Sequence, residues 1–337
     1  MKSNKEHPHS HHGSEENHGH SHARIDPSIL SHEKGLWAVK WSFIGLGLTA
    51  LFQTAVVLAS HSVALLSDTI HNVGDAATAV PLGAAFLLAR LKPSKKFTYG
   101  YGRVEDLAGV AVVLTILFSA IVAGYEAVQR FFHPVAVSHI WAVALASIVG
   151  FLGNEGVAVF RIRVGKEIGS VALIADGYHA RVDGYTSLAV LLGAIGVWLN
   201  FPLADAIVGL GISIAIFFIV WRSAKDVLSR MLDGIEPEVI DEIKHAAEHV
   251  SGVLAVNEVR AKWIGHKLHA EINITVDSTI SVAQGHEIAK EVRHQLLHHL
   301  KHLSNAMIHV DPANASGEMH HRIESHKHDH LALHSHI

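Results

Sequence analysis

Six apolar segments, each long enough to cross the roughly 30 Å hydrocarbon core of a bilayer as a helix, constrain this chain most strongly. They run over about 36–60, 63–91, 104–132, 139–161, 171–200 and 203–223. Lipid-exposed backbone must satisfy its hydrogen bonds within the segment, and the lengths favour helices over strands. Charged residues make up 17% of the chain, against roughly a quarter in soluble proteins. The sequence therefore predicts an all-α membrane domain of six transmembrane helices.

The distribution of Lys and Arg predicts the orientation of these helices. Basic residues lie at about 90–103, 161–166 and 222–230, whereas the connections at 60–62 and 200–203 contain none. By the positive-inside rule, the basic connections and both termini are cytoplasmic. The N-terminus lacks the apolar central region of a signal peptide, so the first helix itself directs insertion. The compact chain favours a bacterial inner (plasma) membrane, with an organelle as the alternative.

The C-terminal third is polar and has the patterns of a folded soluble domain. The expected order is helix, strand, strand, helix, strand, at 237–250, 254–263, 268–277, 281–300 and 306–310. Ser281 is a candidate cap for the second helix, and Gly265 joins the first two strands. This order predicts a small cytoplasmic α+β domain with its helices on one face of a sheet.

Both ends of the chain are rich in histidine and poor in apolar residues, which is typical of flexible metal-binding tracts. The expected organisation is a His-rich tail, a six-helix transmembrane domain, a cytoplasmic α+β domain and a second His-rich tail, with boundaries at 1–34, 35–232, 233–314 and 315–337.

The second and fifth apolar segments carry the same pattern, Asp-x-x-His-x-x-x-Asp. It consists of Asp68, His71 and Asp75 in one segment and Asp176, His179 and Asp183 in the other. Offsets of three and four residues place the side chains of each triplet on one helix face. Charged side chains inside hydrocarbon cost at least about 2.5–3.5 kcal/mol each on insertion scales, so two such triplets need a compensating partner.

A metal ion is the partner that fits these side chains. The chain has no Cys, so its metal ligands must be His, Asp, Glu, Asn or backbone oxygen. Two His and two carboxylates arranged tetrahedrally suit Zn²⁺. The alternative, polar groups that only pack between helices, explains a lone His better than a duplicated triplet.

With these motifs, the chain resembles the cation diffusion facilitators over about residues 35–312. These are six-helix metal/proton antiporters with a cytoplasmic metallochaperone-like (ferredoxin-like) domain, and relatives are homodimers. The resemblance implies that the transport ligands are His71, Asp75, His179 and Asp183. His at the first of these positions implies Zn²⁺, with Co²⁺, Cd²⁺ and Ni²⁺ as lesser alternatives. Asp68 and Asp176 are expected to orient ligands or to pack between helices rather than to bind the ion.

The resemblance also implies a metal site in the cytoplasmic domain. His286, His309 and Asp311 match positions that bind metal at the dimer interface of relatives. Two further positions, His in those relatives, are Asn257 and Asn273 here, which argues against a complete binuclear site.

Other family positions are occupied differently in this chain. His266 and His269 are substitutes for the missing ligands or, as the preferred interpretation, surface histidines. Phe97 and Tyr101 stand where some members have a further metal site, which we expect to be absent.

Two charged residues in or beside the apolar segments have open interpretations. Arg103 either pairs with Asp233 between the two domains or is an isolated cytoplasmic charge. Glu155, which follows Asn154 in the fourth segment, is interpreted as a proton-coupling group, a contact to the fifth helix or a helix-end residue.

The function predicted from these features is secondary active export of Zn²⁺ from the cytoplasm in exchange for protons. The partners are divalent metal ions, protons, membrane lipid and a second copy of the chain. No cofactor and no enzymatic activity are expected, and a net charge of −4 gives nucleic-acid binding no support. A membrane-bound metal sensor or storage protein is the main rival. An intramembrane metalloenzyme ranks last, because four protein ligands leave Zn²⁺ no open coordination position.

Overall fold

The membrane part of the protein is a bundle of long helices. A computed structural model describes residues 27–60, 79–132, 140–199, 201 and 203–316. Within them the helices are α1 (Pro27–Ser60), α2 (Ala79–Ala89), α3 (Arg103–Phe132), α4 (Ile140–Ile168), α5 (Val171–Trp198) and α6 (Ala204–Met231).

Four of the described helices are long and apolar enough to cross a membrane: α1, α3, α4 and α6. Helix α5 has 28 residues, a comparable length, but it carries Asp176, Arg181 and Asp183. Large apolar side chains on the outer faces of the bundle, such as Phe118, Trp141 and Phe218, are exposed, as expected where lipid is the solvent. The predicted helical membrane domain is confirmed.

Several helices extend beyond the apolar segments that predicted them. Helix α1 begins at Pro27 rather than near residue 36, and α4 and α6 continue past 161 and 223 to Ile168 and Met231. Hydropathy reports which residues lipid can solvate, whereas a helix continues until its backbone hydrogen bonding is interrupted. About half of the residues in the additional turns are polar or charged.

Helices α4 and α5 form a tight hairpin. Gly169 ends α4 with a φ of 76°, a conformation that favours glycine. The next residue, Ser170, donates its N–H to the Gly165 carbonyl at 2.9 Å, and its hydroxyl accepts from the Leu173 N–H at 3.1 Å, capping α5. At Gly177 a Cβ would lie 2.7 Å from the Ile162 side chain, so glycine permits the close approach of the two helices.

The cytoplasmic domain has the predicted order: α7 (Pro237–Glu248), β1 (Ala255–Ile264), β2 (Lys267–Val276), α8 (Val282–His299) and β3 (Leu303–Pro312). The sheet order is β1-β2-β3, with β1 antiparallel and β3 parallel to β2. Ile243, Val292 and Leu296 of the helices pack with Trp263 and Ile274 of the sheet in one core. The α+β prediction is confirmed. The predicted cap and turn residues are also confirmed. Ser281 forms a capping box with Gln284 at the start of α8, and Gly265 makes the β1–β2 turn with a φ of 60°.

An ion pair and a cation–π contact link the two domains. The Arg103 guanidinium pairs with the Asp233 carboxylate and donates to the Arg230 carbonyl at 3.2 Å. The Arg230 guanidinium in turn lies over the Trp263 ring, with its Cζ 3.8 Å from the ring centroid. The structure therefore favours the interdomain pairing of Arg103 over an isolated charge.

The turn between β1 and β2 docks against the start of α3. The Gly265 N–H donates to the Asp106 carboxylate at 3.2 Å, and His266 Nδ1 lies 2.6 Å from Glu105 Oε2. The His266 ring also packs against the His32 ring of α1 in a T-shaped arrangement, with centroids 4.4 Å apart. His266 is only 3% exposed, so its interpretation as a surface histidine is wrong. The sequence indicates the β1–β2 turn, but it does not show that α1 and α3 pack against this turn and bury His266.

Two half-buried histidines make the stability of the folded protein depend on pH. Burial, followed by the nearby Lys262, lowers the pKa of His269 below its usual value, and burial with Lys301 does the same for His302. The unfolded chain then takes up protons near pH ~6.5, where these folded histidines stay neutral. The contribution of these two histidines to the free energy of unfolding is therefore fully present above pH ~6.5. It is lost as the pH falls from there towards their lower pKa values in the folded protein.

We expect the melting temperature of the full-length protein in detergent to fall between pH 7.5 and 5.5. The double variant His269→Gln, His302→Gln should show a smaller fall, since part of the proton linkage is removed. An equal fall in wild type and variant would show that these two histidines do not contribute.

Candidate metal centre

His179 and Asp183 lie together inside the helix bundle. Both are on α5 and 1% exposed, with 3.8 Å between His179 Nδ1 and Asp183 Oδ2. The distance is too long for a hydrogen bond between the two side chains. The predicted i, i+4 arrangement is present, and it provides one imidazole and one carboxylate in a buried position.

The other half of the predicted site is outside the described residues. This applies to His71, Asp75 and Asp68. In the part of the chain that the structure describes, no group of three or more His, Asp or Glu side chains is arranged to hold a metal ion. The His179–Asp183 pair is thus the described half of a proposed four-ligand site.

Asp176, the first residue of the α5 motif, pairs with an arginine. Its Oδ2 lies 2.9 Å from Arg161 Nη1 of α4, and the two side chains are 0% and 1% exposed. The same Nη1 donates to the Asp176 carbonyl at 3.4 Å. The Asp176 charge is therefore compensated by the protein itself, which fits a helix-packing role. Arg161, counted above with the basic connection, is instead buried within α4.

A second ion pair joins α4 and α5. Arg181 donates to both carboxylate oxygens of Glu155, at 2.6 and 3.0 Å. Of the three interpretations of Glu155, the structure favours the contact to the fifth helix. In both pairs the partners stand at nearly equal sequence distances from the turn at Gly169, as residues facing each other across an antiparallel hairpin must. The charged residues are visible in the sequence, but which of them form pairs depends on the register of the α4–α5 hairpin.

Further polar side chains meet in the interior of the bundle, at the level of Gly150 of α4. A Cβ at Gly150 of α4 would lie 2.7 Å from Gln53 Nε2 of α1 and 2.8 Å from Ser187 Oγ of α5. Gln53 also donates to the Ala146 carbonyl at 3.4 Å. Polar side chains of α1 and α5 therefore approach the same glycine of α4 in the bundle interior. Gln53 and Ser187 were missed because isolated polar residues in apolar segments carry no spacing pattern.

The residues predicted for a cytoplasmic metal site are only partly brought together. His309 Nε2 lies 2.9 Å from Asp311 Oδ1 on β3, whereas His286 is on α8. Asn257 donates its amide to the Thr275 hydroxyl at 2.8 Å. Among the described residues of one chain, these side chains do not form a three-ligand group.

The loop before α3 holds the two aromatic side chains at which the sequence predicts no metal site. The rings of Phe97 and Tyr101 contact each other, with centroids 4.9 Å apart. Neither side chain is a usual ligand for a transition metal.

Comparison with known proteins identifies the family to which the chain belongs. Residues 39–232 match the family model for the cation efflux transmembrane domain. Residues 235–313 match that for the cytoplasmic domain of cation efflux proteins. The chain belongs to the cation efflux family. It is therefore a multi-pass membrane transporter of divalent metal cations and not an enzyme.

Relatives within this family match most of the chain. A "Probable cation efflux system protein" of Mycobacterium tuberculosis is 53% identical over 289 residues, covering 86% of this chain and 87% of the relative. The manganese efflux system protein MneP of Bacillus subtilis is 27% identical, covering 76% of this chain and 88% of the relative. Among solved structures, the cadmium form of a MamM C-terminal domain variant is 31% identical over 22% of this chain and 94% of that chain, with a TM-score of 0.22.

Proposed function

We propose that this cation efflux protein exports Zn²⁺ from the cytoplasm in exchange for protons. The ion is bound by His71 and Asp75 of the second transmembrane helix with His179 and Asp183 of α5. The observation that carries the proposal is the buried His179–Asp183 pair, which is half of a motif that the sequence repeats with identical spacing. Two imidazoles and two carboxylates suit tetrahedral Zn²⁺.

Proton exchange follows from the chemistry of these ligands. An imidazole binds metal only when it is neutral, and its unperturbed pKa is near ~6.5, so protons and metal compete for the site. In an alternating-access cycle, metal binds from the cytoplasm and is displaced by protons on the opposite side. Asp176 is not among the proposed ligands, because Arg161 already compensates its charge.

The domain arrangement is part of the same proposal. Both termini are cytoplasmic, the transmembrane domain covers 35–232, and 233–314 joins two copies into a homodimer in a bacterial inner membrane. His286, His309 and Asp311 form a further site only with ligands from the second copy. The His-rich tails, 1–34 and 315–337, buffer metal near the cytoplasmic side.

The relative named for manganese raises Mn²⁺ as the competing substrate. Mn²⁺ prefers carboxylate, carbonyl and water ligands, whereas imidazole suits Zn²⁺, Ni²⁺ and Cu²⁺. A site with two imidazoles therefore favours Zn²⁺, and His71 is the position at which the preference is set.

Transport competition in proteoliposomes tests the proposal. We expect an outward-directed proton gradient, with an acidic lumen, to drive Zn²⁺ uptake into vesicles of inverted orientation, with Cd²⁺, Co²⁺ and Ni²⁺ competing better than Mn²⁺ and Fe²⁺. The variant His71→Asp should shift the Zn²⁺-to-Mn²⁺ preference by about tenfold or more, the equivalent of ~1.4 kcal/mol.

Other outcomes would overturn separate parts of the proposal. Zn²⁺ flux that ignores the proton gradient would remove the antiport mechanism, and an unchanged ion preference in His71→Asp would remove that residue from the site. Zn²⁺ binding without any flux into sealed vesicles would instead be the behaviour of a membrane-bound sensor.

A further inference from the structure

Two pairs of exposed histidines lie on the helices of the cytoplasmic domain, apart from the transport site. His249 is the C-cap residue of α7, and its ring centroid is 4.2 Å from that of His245. On α8 the ring centroids of His294 and His298 are 4.3 Å apart. All four side chains are exposed. Residues four apart project from the same face of a helix, so the two helices repeat one arrangement of neighbouring imidazoles.

The tautomer of one histidine is set for metal binding. His249 Nδ1 lies 2.7 Å from the carbonyl oxygen of His245. A carbonyl oxygen only accepts hydrogen bonds, so Nδ1 carries the proton and the lone pair of the imidazole is on Nε2. Metal-binding histidines commonly donate their other ring N–H to a carbonyl or carboxylate in this way. The hydrogen bond also holds the ring beside its partner.

The charges around the α7 pair favour a cation. Helix α7 contains one lysine, Lys244, against four acidic residues: Glu238, Asp241, Glu242 and Glu248. The excess negative charge raises the local concentration of cations at the exposed face. Helix α8 lacks this excess, because Lys290 and Arg293 balance Glu287 and Glu291.

We propose that His245–His249 and His294–His298 are two separate two-histidine sites for a divalent transition metal such as Zn²⁺, Ni²⁺ or Cu²⁺. These are the ions that imidazole ligands suit, unlike Mg²⁺, Ca²⁺ and Mn²⁺. Each pair supplies two imidazole ligands, and in the part of the chain that the structure describes neither pair belongs to a group of three or more His, Asp or Glu side chains arranged to hold a metal ion. The first imidazole holds the ion close to the second, which makes binding tighter than to a single histidine. The more acidic α7 pair is the tighter of the two.

His299 provides a matched internal control. It is exposed on α8 and makes the same kind of hydrogen bond as His249, from Nδ1 to the Gln295 carbonyl at 2.8 Å. It differs in having Gln295, not a histidine, four residues before it, and the helix ends at His299. A metal bound by chelation should therefore distinguish His299 from the four paired histidines.

The test is modification of individual histidines in the full-length protein in detergent. The protein is titrated with ZnCl₂, briefly treated with diethylpyrocarbonate and digested, and the modified histidines are counted by mass spectrometry. We expect half-protection of the four paired histidines at a Zn²⁺ concentration about tenfold below that for His299, with the α7 pair protected first. MgCl₂ at the same concentrations should protect none of them.

Single variants separate chelation from other causes of protection. His245→Gln should reduce the protection of His249 to the level of His299 and leave the α8 pair unchanged, and His294→Gln should do the converse. Protection of His299 at the same Zn²⁺ concentration as the pairs would overturn the proposal. So would protection of His249 that persists in His245→Gln, because protection would then come from a conformational change or from association of copies.

Discussion

Replacing Arg161 with Met is expected to destabilise the protein by about 3–5 kcal/mol, the range for removing one partner of a buried ion pair. Arg161 is 1% exposed and is 2.9 Å from Asp176, which is 0% exposed. Met has a similar volume, so the loss comes mainly from leaving the Asp176 carboxylate uncompensated in the bundle. The measurement is the thermal unfolding of wild type and variant in the same detergent.

A neighbouring arginine on the same helix supplies the control. Arg163 is exposed, and Arg163→Met should change stability by no more than about 0.5 kcal/mol, as most surface substitutions do. The double variant Arg161→Met, Asp176→Leu should recover most of the loss, since replacing a whole buried pair by apolar side chains is often neutral. A melting temperature for Arg161→Met equal to that of Arg163→Met would contradict the prediction.

Replacing Asp183 with Ala is expected to reduce Zn²⁺ transport in proteoliposomes by more than about 100-fold. Residues that only orient metal ligands typically cost about 10–100-fold when they are mutated, and a proposed ligand should cost more. Asp183 is buried beside His179, so the substitution removes one of two described donors from the candidate site. The measurement is the initial rate of Zn²⁺/H⁺ exchange under a fixed proton gradient.

Ser187 allows the effect of the ligand to be separated from damage to the helix. It lies one turn after Asp183 on α5 and is 1% exposed, and its hydroxyl has no hydrogen-bond partner among the described residues. Ser187→Ala should keep both the melting temperature and most of the transport rate. Undiminished transport by Asp183→Ala would remove the proposed site. An equal loss in both variants would attribute the effect to helix packing.

The sequence alone was sufficient for features that depend on local geometry. The lengths of the apolar segments predicted helices that cross a membrane, because a helix rises 1.5 Å per residue. The spacing of His179 and Asp183 placed both side chains on one face, because a helix has 3.6 residues per turn. In the cytoplasmic domain, strand alternation and the Ser281 cap predicted each element to within a few residues.

Tertiary structure decided which of these local features meet. The sequence places Arg161 with a basic connection, whereas the α4–α5 hairpin sets it opposite Asp176. It likewise predicts an exposed His266, whereas the docking of the β1–β2 turn buries this side chain against Glu105. Helix periodicity and turn chemistry act between residues close in sequence, and they carry no information on which segments become neighbours. That choice depends on the register of helix packing and on the docking of one domain against the other. The sequence by itself thus determined the candidate metal ligands on α5, His179 and Asp183. The tertiary structure decided that another charge of this helix, Asp176, is already neutralised by Arg161.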